Sequence, residues 1–303
     1  MRITQRMMTD RAIQYMDENL QRLYKLQEKV ASGKEFQRPS DNPSGVASAL
    51  NLRSVLRMNN AYLDSAANAE SWMSATDFAL IQTTQLASRA LNLTRQGISD
   101  TMGDEQRMTL AAEVNMILQQ VLSVANTNHQ GNYIFAGFKT VNPPFALTDS
   151  NSDGYLDTVV RNGDNGVINR LIAPSLTVVQ NISGYDLFND LLVAIINARD
   201  ALMNNGDPNQ LTQLQNAIAA LDSQINNVNE SLTTNGARQR EVRLTKDRLE
   251  KAQIELKSLL SQKEDVNMTE AISYLQHQQS VYQTVLEVGK RAISALSLFD
   301  LLG

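Results

Sequence analysis

The chain has 303 residues, enough for one large domain or two to three small ones, with aromatics at only 5% and a formal net charge of −5. Such a composition suits long helices with thin apolar seams better than a dense globular core, and the mild negative charge gives no general affinity for nucleic acid. The absence of cysteine excludes thiol chemistry and disulfide stapling, so packing or oligomerisation must hold the chain together.

The first twenty residues carry no apolar run of signal-peptide type, so no cleaved leader is expected, and no stretch approaches the ~18 apolar residues of a membrane span. Ile13, Met16, Leu20, Leu23 and Val30 keep one heptad phase with Gln27 as an interruption, which predicts a helix from about Ile3 to Ser32 that stops at Gly33. The turn Arg38-Pro-Ser-Asp-Asn-Pro-Ser-Gly45 follows. In it Asn42 reads as a helix N-cap with Pro43 at the first helical position. Pro39, Asn42 and Pro43 form either a simple helix breaker or a hinge on which the terminal helix pivots.

A long helix then carries Leu52, Val55, Tyr62, Ala66, Ala69, Met73 and Leu80, with Asn59 in the seam, and fades near Gly97. Asp104 caps another, with Leu110, Val114, Ile117, Val121 and Val124 at coiled-coil spacing. From Tyr133 the pattern turns to short β-type runs separated by Pro143-Pro144, Asn162-Gly163 and Asn165-Gly166, which are turn signals. Helix returns at Tyr185–Met203. After Gly206-Asp207-Pro208 comes the longest seam: Leu211, Leu214, Ile218, Leu221, Ile225, Val228 and Leu232, continuing more weakly through Val242, Leu249, Leu256 and Leu260.

The last helix, opened by Asn267 and Glu270 in capping-box spacing, carries two seams. One runs Ala271, Tyr274, Gln278, Val281, Val285, Val288, Ala292, Ala295, Phe299, Leu302; the other runs Ile272, Leu275, Tyr282, Leu286, Ile293, Leu296. Two seams on one helix require cover on more than one side. Spans of about 48 Å for residues 271–302 and about 45 Å for residues 3–32 let the terminal helices pair along their length.

The expected fold is mainly α: an elongated antiparallel helical bundle or coiled coil with a small β-rich inserted domain and long terminal helices. Its parts are an N-terminal assembly helix and turn (1–43), outgoing rod helices (44–132), the β-rich insertion (133–185), returning rod helices (186–266) and a C-terminal assembly helix (267–303). The expected subunit interface is Ile13, Met16, Leu20, Leu23, Val30, Val281, Val285, Val288, Ala292, Ala295, Phe299 and Leu302.

Catalytic patterns are absent: no GxSxG, P-loop, GxGxxG or HExxH occurs. His129 and His277 lack a ligand or acid partner at useful spacing and read as surface or packing residues, as does Trp72. Asp149, Asn151, Asp153, Gly154 and Asp157 match the first part of a calcium loop, but Val160 stands where its bidentate Glu belongs, so a polar turn is the favoured reading. No metal, cofactor or enzymatic activity is expected.

Arg2-Ile-Thr4, Val30-Ala-Ser-Gly-Lys34 and Arg38-Pro-Ser-Asp-Asn-Pro-Ser-Gly45 resemble the N-terminal signature of the flagellin superfamily. Gly131-Asn-Tyr-Ile-Phe-Ala-Gly137 resembles the end of its first helical half, and Asp265–Leu302, closing on Ser297-Leu-Phe-Asp-Leu-Leu302, its C-terminal helix. The proline-bearing turn is similar to the superfamily's hook–filament junction branch, where flagellin proper reads more like Asp-Asp-Ala-Ala. The resemblance implies export in unfolded form through the flagellar type III apparatus and a place in the bacterial flagellum outside the cell. It implies a ring-like layer of copies of this chain, joined to the hook through a first hook–filament junction protein and to the filament through flagellin. An export chaperone is a further implied partner; nucleic acid and membrane insertion are not. Terminal helices of the family order into an α-helical tube on assembly. The competing expectations are a short flagellin that polymerises alone, or a cytosolic coiled-coil adaptor or chaperone.

Overall fold

The computed structural model describes residues 2–99, 102–150 and 154–300, with the side chains at 2–6, 8, 9 and 291–300 outside the description. Helices α1 (Arg2–Ser32), α2 (Pro43–Gly97) and α3 (Asp104–Ala125) precede strands β1 (Asn128–His129), β2 (Asn132–Tyr133), β3 (Phe145–Thr148), β4 (Thr158–Arg161), β5 (Asn169–Ala173) and β6 (Leu176–Val179). Helices α4 (Gly184–Met203), α5 (Gln210–Glu264) and α6 (Met268–Asp300) follow. The strands pair consecutively as three separate two-stranded antiparallel ladders. Residues fall into two compact units, 1–58 with 252–303, and 59–251.

In unit 59–251, parts of α2 and α5 pack with α3 and α4 around a core that includes Leu80, Leu118, Leu192, Ile195, Leu221 and Val228. Fully burying one such side chain contributes roughly 1.5–3 kcal/mol, and this is what turns the coiled-coil spacing into a bundle. The apolar face of α3 (Val114, Ile117, Leu118, Val121) is used entirely in that core. By length and composition α3 does reach the apolarity of a membrane span, with mean hydropathy 1.2, contrary to the expectation that no stretch comes near it. Its buried face (Ala111, Val114, Ile117, Leu118, Val121, Val124 and Ala125) supplies much of that apolarity, and exposed Met108 and Met116 on the other side add to it. Trp72 is buried, with its ring edge-on to His129 at 6.2 Å, and Ser71 Oγ lies 3.1 Å from His129 Nε2.

The α2 and α5 portions of this unit run antiparallel in a polar-fixed register. Buried Asn59 Nδ2 donates to the Leu249 carbonyl at 3.0 Å, and buried Asn235 Nδ2 to the Met73 carbonyl at 2.8 Å. Glu70 accepts from Arg243 Nε at 2.9 Å and Lys246 Nζ at 3.0 Å, and these bonds overcome its partial burial to hold its carboxyl below the ordinary value. The α5 helix starts two residues beyond Pro208, because Asp207 Oδ1 caps the preceding turn by accepting from Asn209 N at 2.8 Å.

The β elements are smaller than the sequence pattern indicates. Tyr133–Phe138 is not a strand; only Asn132–Tyr133 pairs, and Ile134, Phe135 and Ala136 then turn into the core, where Phe135 meets Phe188 at 4.6 Å. Their side chains are fully covered, so an apolar run mimicked a strand while serving as a plug. Ladder β3–β4 is tied to the end of α3 by Asn126, whose Nδ2 donates to the Phe145 carbonyl while its Oδ1 accepts from Phe145 N. Buried Arg199 on α4 reaches the same region, donating to the Leu156 carbonyl at 2.8 Å and to Asn115 Oδ1 at 3.2 Å. Ladder β5–β6 lays Ile172 and Val178 against Ala66, Ala69, Met73 and Val242.

Candidate assembly interface

In unit 1–58 with 252–303, α1 packs on α6, and the helix ends facing the two inter-helix turns are locked together. Gly33 ends α1 in a left-handed conformation (φ 70°), with its N–H returned to the Lys29 carbonyl at 2.9 Å. That turn presents Gly33–Glu35 as an extended edge. Glu35 N donates to the Glu264 carbonyl at 2.8 Å, and Val266 N donates to the Gly33 carbonyl at 2.9 Å, a one-rung antiparallel bridge between the α1–α2 and α5–α6 connections.

Charges reinforce the bridge. Lys34 Nζ donates to Asp265 Oδ1 at 2.6 Å and stands 3.6 Å from Glu264 Oε2. Glu264, buried at this point, also pairs with Arg53 on α2. The hydrogen bond from Lys34 holds the Asp265 carboxyl below its ordinary value, and the same bond raises the Lys34 amine. Residues 34 and 265 are 231 positions apart, so no sequence period could reveal them; the only local signal was the charge of Lys34 beside a helix-ending glycine.

The Pro39–Gly45 turn is exposed at Pro39, Asn42 and Pro43. Asn42 Oδ1 accepts from Gly45 N at 2.9 Å and from Ser44 Oγ at 3.1 Å, capping α2, whose first residue is Pro43. Phe36 is buried beneath the turn, and a Cβ on Gly45 would lie 3.0 Å from its ring and 2.6 Å from Asn42 Nδ2. A groove of about 720 Å³ separates this turn from α1, lined by Tyr24, Glu28, Phe36, Arg38 and Asn42 among others.

Along the helix pair, Leu23 is buried, Met16, Leu20 and Val30 are half-buried, and Ile13 is 48% exposed. On α6, Val281 and Val285 are half-buried whereas Val288 is 61% exposed. The line turned inward runs between the two sequence seams: Ala271, Leu275, Gln278, Tyr282, Val285 and Gly289, at steps of three and four. Gln278 Nε2 donates to Asn19 Oδ1 at 2.9 Å, and a Cβ on Gly289 would stand 3.1 Å from Met16 Sδ. Gln278 stood in the first sequence seam as its one polar interruption, whereas Gly289, with no side chain to mark it, lay outside both seams. Tyr274, Ile272 and Val288 stay exposed on α6, as do Met7, Tyr15 and Tyr24 on α1. Of the expected interface residues, the side chains of Ala292, Ala295 and Phe299, and Leu302 as a whole, lie outside the described residues.

Elsewhere the candidate calcium loop uses its carboxylates internally. Asp157 accepts from Ser150 N and Oγ at 2.9 Å, bonds that hold it below the ordinary carboxylate range, and Asp149 accepts from Gly154 N. Asn151 and Asp153 of that loop lie outside the described residues, and among the described residues no group of three acidic, His or Cys side chains converges on a metal position.

The chain is similar to known proteins in sequence and in fold. Residues 3–140 match the bacterial flagellin N-terminal helical region. The chain is 28% identical over 231 residues to flagellar hook-associated protein 3 of Salmonella typhimurium, covering 75% of this chain and 69% of that protein. It is 25% identical over 226 residues to the Escherichia coli protein of the same name, covering 74% and 68%. Among solved structures, flagellar hook associated protein-3 from Legionella pneumophila superposes with a TM-score of 0.61 at 14% identity, covering 70% of this chain and 97% of the other, a likeness of fold.

Proposed function

We infer that this chain, a flagellin-superfamily protein, is a structural subunit of the bacterial flagellum seated where the hook meets the filament. The observation that carries the reading is the pairing of sequence likeness to hook-associated protein 3 with terminal helices that leave apolar side chains uncovered. Tyr274 and Val288 on α6, and Ile13 and Tyr24 on α1, are each about half exposed or more after the two helices have packed on each other. Covering such side chains against neighbours contributes roughly 1.5–3 kcal/mol apiece, enough over a few positions to offset the cost of ordering long helices.

On this reading copies of the chain associate into a ring-like layer through Ile13, Met16, Leu20, Val30, Val281, Val285, Val288, Ala292, Ala295, Phe299 and Leu302, while Leu23, buried within the chain, supports the helix pair. A first hook–filament junction protein lies on one side and flagellin on the other, and an export chaperone accompanies the chain beforehand. The turn at Pro39, Asn42 and Pro43 is the hinge between the terminal helix and α2. The role is structural, without catalysis. A short flagellin is the second reading, favoured by the match of residues 3–140 to the flagellin helical region.

Deleting the gene and imaging the cells by electron microscopy, with flagellin assayed in the medium, tests both. Bare hooks with flagellin lost to the medium are expected. Bare hooks with no flagellin anywhere would assign the chain to the filament itself, and normal flagella would overturn either role.

A further inference from the structure

We propose that Asn162 is a site of spontaneous amide-to-acid conversion, the one Asn-Gly step of four at which the fold leaves that reaction open. The four steps are Asn162-Gly163, Asn165-Gly166, Asn205-Gly206 and Asn235-Gly236. Each has the same intrinsic chemistry, because glycine offers no Cβ to shield its backbone nitrogen. The Gly N attacks the Asn Cγ and forms a five-membered imide as the Cγ–Nδ2 bond breaks, and ammonia leaves with the proton the backbone amide gives up. Water then opens the imide. Attack at the γ-carbonyl yields Asp; attack at the α-carbonyl yields isoaspartate, which routes the main chain through the former side chain. No oxidant, metal or enzyme is needed. What differs between the four is whether the side chain can swing over the next nitrogen and whether that nitrogen is free.

At three steps the fold withholds one or both. Asn235 is buried in α5 with its Nδ2 on the Met73 carbonyl, and Gly236 N is engaged in the helix. Asn165 is held at both ends, its Nδ2 donating to Asp186 Oδ2 at 3.1 Å and its Oδ1 accepting from Ser183 Oγ at 2.5 Å. Gly166 N is itself bound to Asp164 Oδ1 at 2.8 Å. Asn205 Oδ1 accepts from Gln210 Nε2 at 3.2 Å, and Asn205 Nδ2 lies 3.5 Å from the Asp104 carbonyl. Asn162 is different. It is exposed, its carboxamide makes no hydrogen bond among the described residues, and Gly163 N has only a 3.4 Å contact with the Pro144 carbonyl. Its position has a structural consequence, since it follows Arg161, the last residue of β4, and its own N–H closes the β3–β4 ladder on the Pro144 carbonyl at 2.8 Å. Isoaspartate there inserts one backbone carbon at the end of that ladder.

The test is peptide mapping by mass spectrometry of the intact chain aged at mildly alkaline pH, with isoaspartate scored by isoaspartyl methyltransferase labelling. A parallel sample is aged in denaturant. The folded chain is expected to convert at Asn162 several-fold faster than at Asn165, Asn205 or Asn235. In denaturant the four rates should come within a few-fold of one another. Conversion led by any of the other three in the folded chain, no conversion at Asn162, or the same ranking in folded and denatured samples would each overturn the assignment.

Discussion

Lys34 and Asp265 titrate at opposite ends of the pH scale, and their bond sets the working range of the bridge between the two inter-helix turns. Asp265 is depressed by Lys34, so its contribution is present above the ordinary carboxylate value of ~3.9 and is lost as pH falls through its lower folded value. Lys34 is raised by Asp265, so its contribution is present below the ordinary ~10.4 and is lost as pH rises through its higher folded value. Both side chains are about two-fifths exposed, which limits the pair to about 0–1 kcal/mol and makes it salt-sensitive. Thermal melts of the chain and of Asp265→Asn should differ most near neutral pH at low salt and converge in acid; a gap that persists at acid pH would disprove the pairing. Glycines give a second residue-scale prediction. Gly236 lies mid-helix with nothing within 4 Å of where a Cβ would stand, so Gly236→Ala should stabilise by about 0.5–1 kcal/mol. Gly97 faces fully buried Leu202, whose Cδ2 would lie 2.2 Å from a new Cβ, so Gly97→Ala should destabilise by about 1–3 kcal/mol. Opposite shifts in melting temperature check the pair.

At the scale of the helices, the seam asparagines Asn59 and Asn235 look like flaws in an apolar pattern, yet each donates its amide to a carbonyl of the opposing helix. A buried polar group satisfied at only one alignment specifies that alignment, as a single polar seam residue does in coiled coils. Replacing both by Leu should leave stability within about 1 kcal/mol, because the helix carbonyls keep their own partners, while relaxing the register. The chain has no cysteine, so Ser74→Cys with Gln239→Cys, whose native side chains meet at 2.8 Å, reports the register by crosslinking. Yield should fall in the double-Leu background, and an unchanged yield would remove the register role. The helices themselves were legible from spacing alone, because a 3.6-residue period and capping residues such as Asn42 are written locally. The inner line of α6 was not. Periodicity marks an apolar face but not which flank a partner takes, and here the partner takes the line holding Gln278 and Gly289. The strand-like Tyr133–Phe138 run misled for a related reason: a short apolar stretch looks the same whether it pairs or plugs a core.

For the whole molecule, residues 59–251 own a large core drawn from four helices and the β3–β4 ladder, with a second cluster beneath β5–β6, whereas among the described residues the remaining unit has few fully buried side chains. A 59–251 fragment should therefore fold alone with a single cooperative thermal transition followed by circular dichroism, and a gradual, non-cooperative melt would show that its core needs the missing ends. Exposed large apolar residues are correspondingly frequent in the other unit, among them Leu50, Met58, Ile254 and Tyr274. The resemblance to flagellin was readable at the N-terminal helix and the Arg38–Gly45 turn, which lie within the matched residues 3–140 and whose capping by Asn42 is local. The contacts that join the turns, Lys34 with Asp265 and Arg53 with Glu264, exist only once distant segments meet.

The antiparallel register of α2 and α5 also bears on how a gene of this kind can change in length. Contacts descend α5 as they climb α2: Asn59 with Leu249, Glu70 with Arg243, Met73 with Asn235, Thr84 with Asn229 and Arg95 with Asp222. One codon gained in either helix rotates everything beyond it by about 100°, turning core positions outward. Insertions or deletions in this part of the chain are therefore tolerated only as matched pairs, close to whole heptads, in both arms at once. The hairpins between β3 and β6 are under no such constraint, so length variation should accumulate there first.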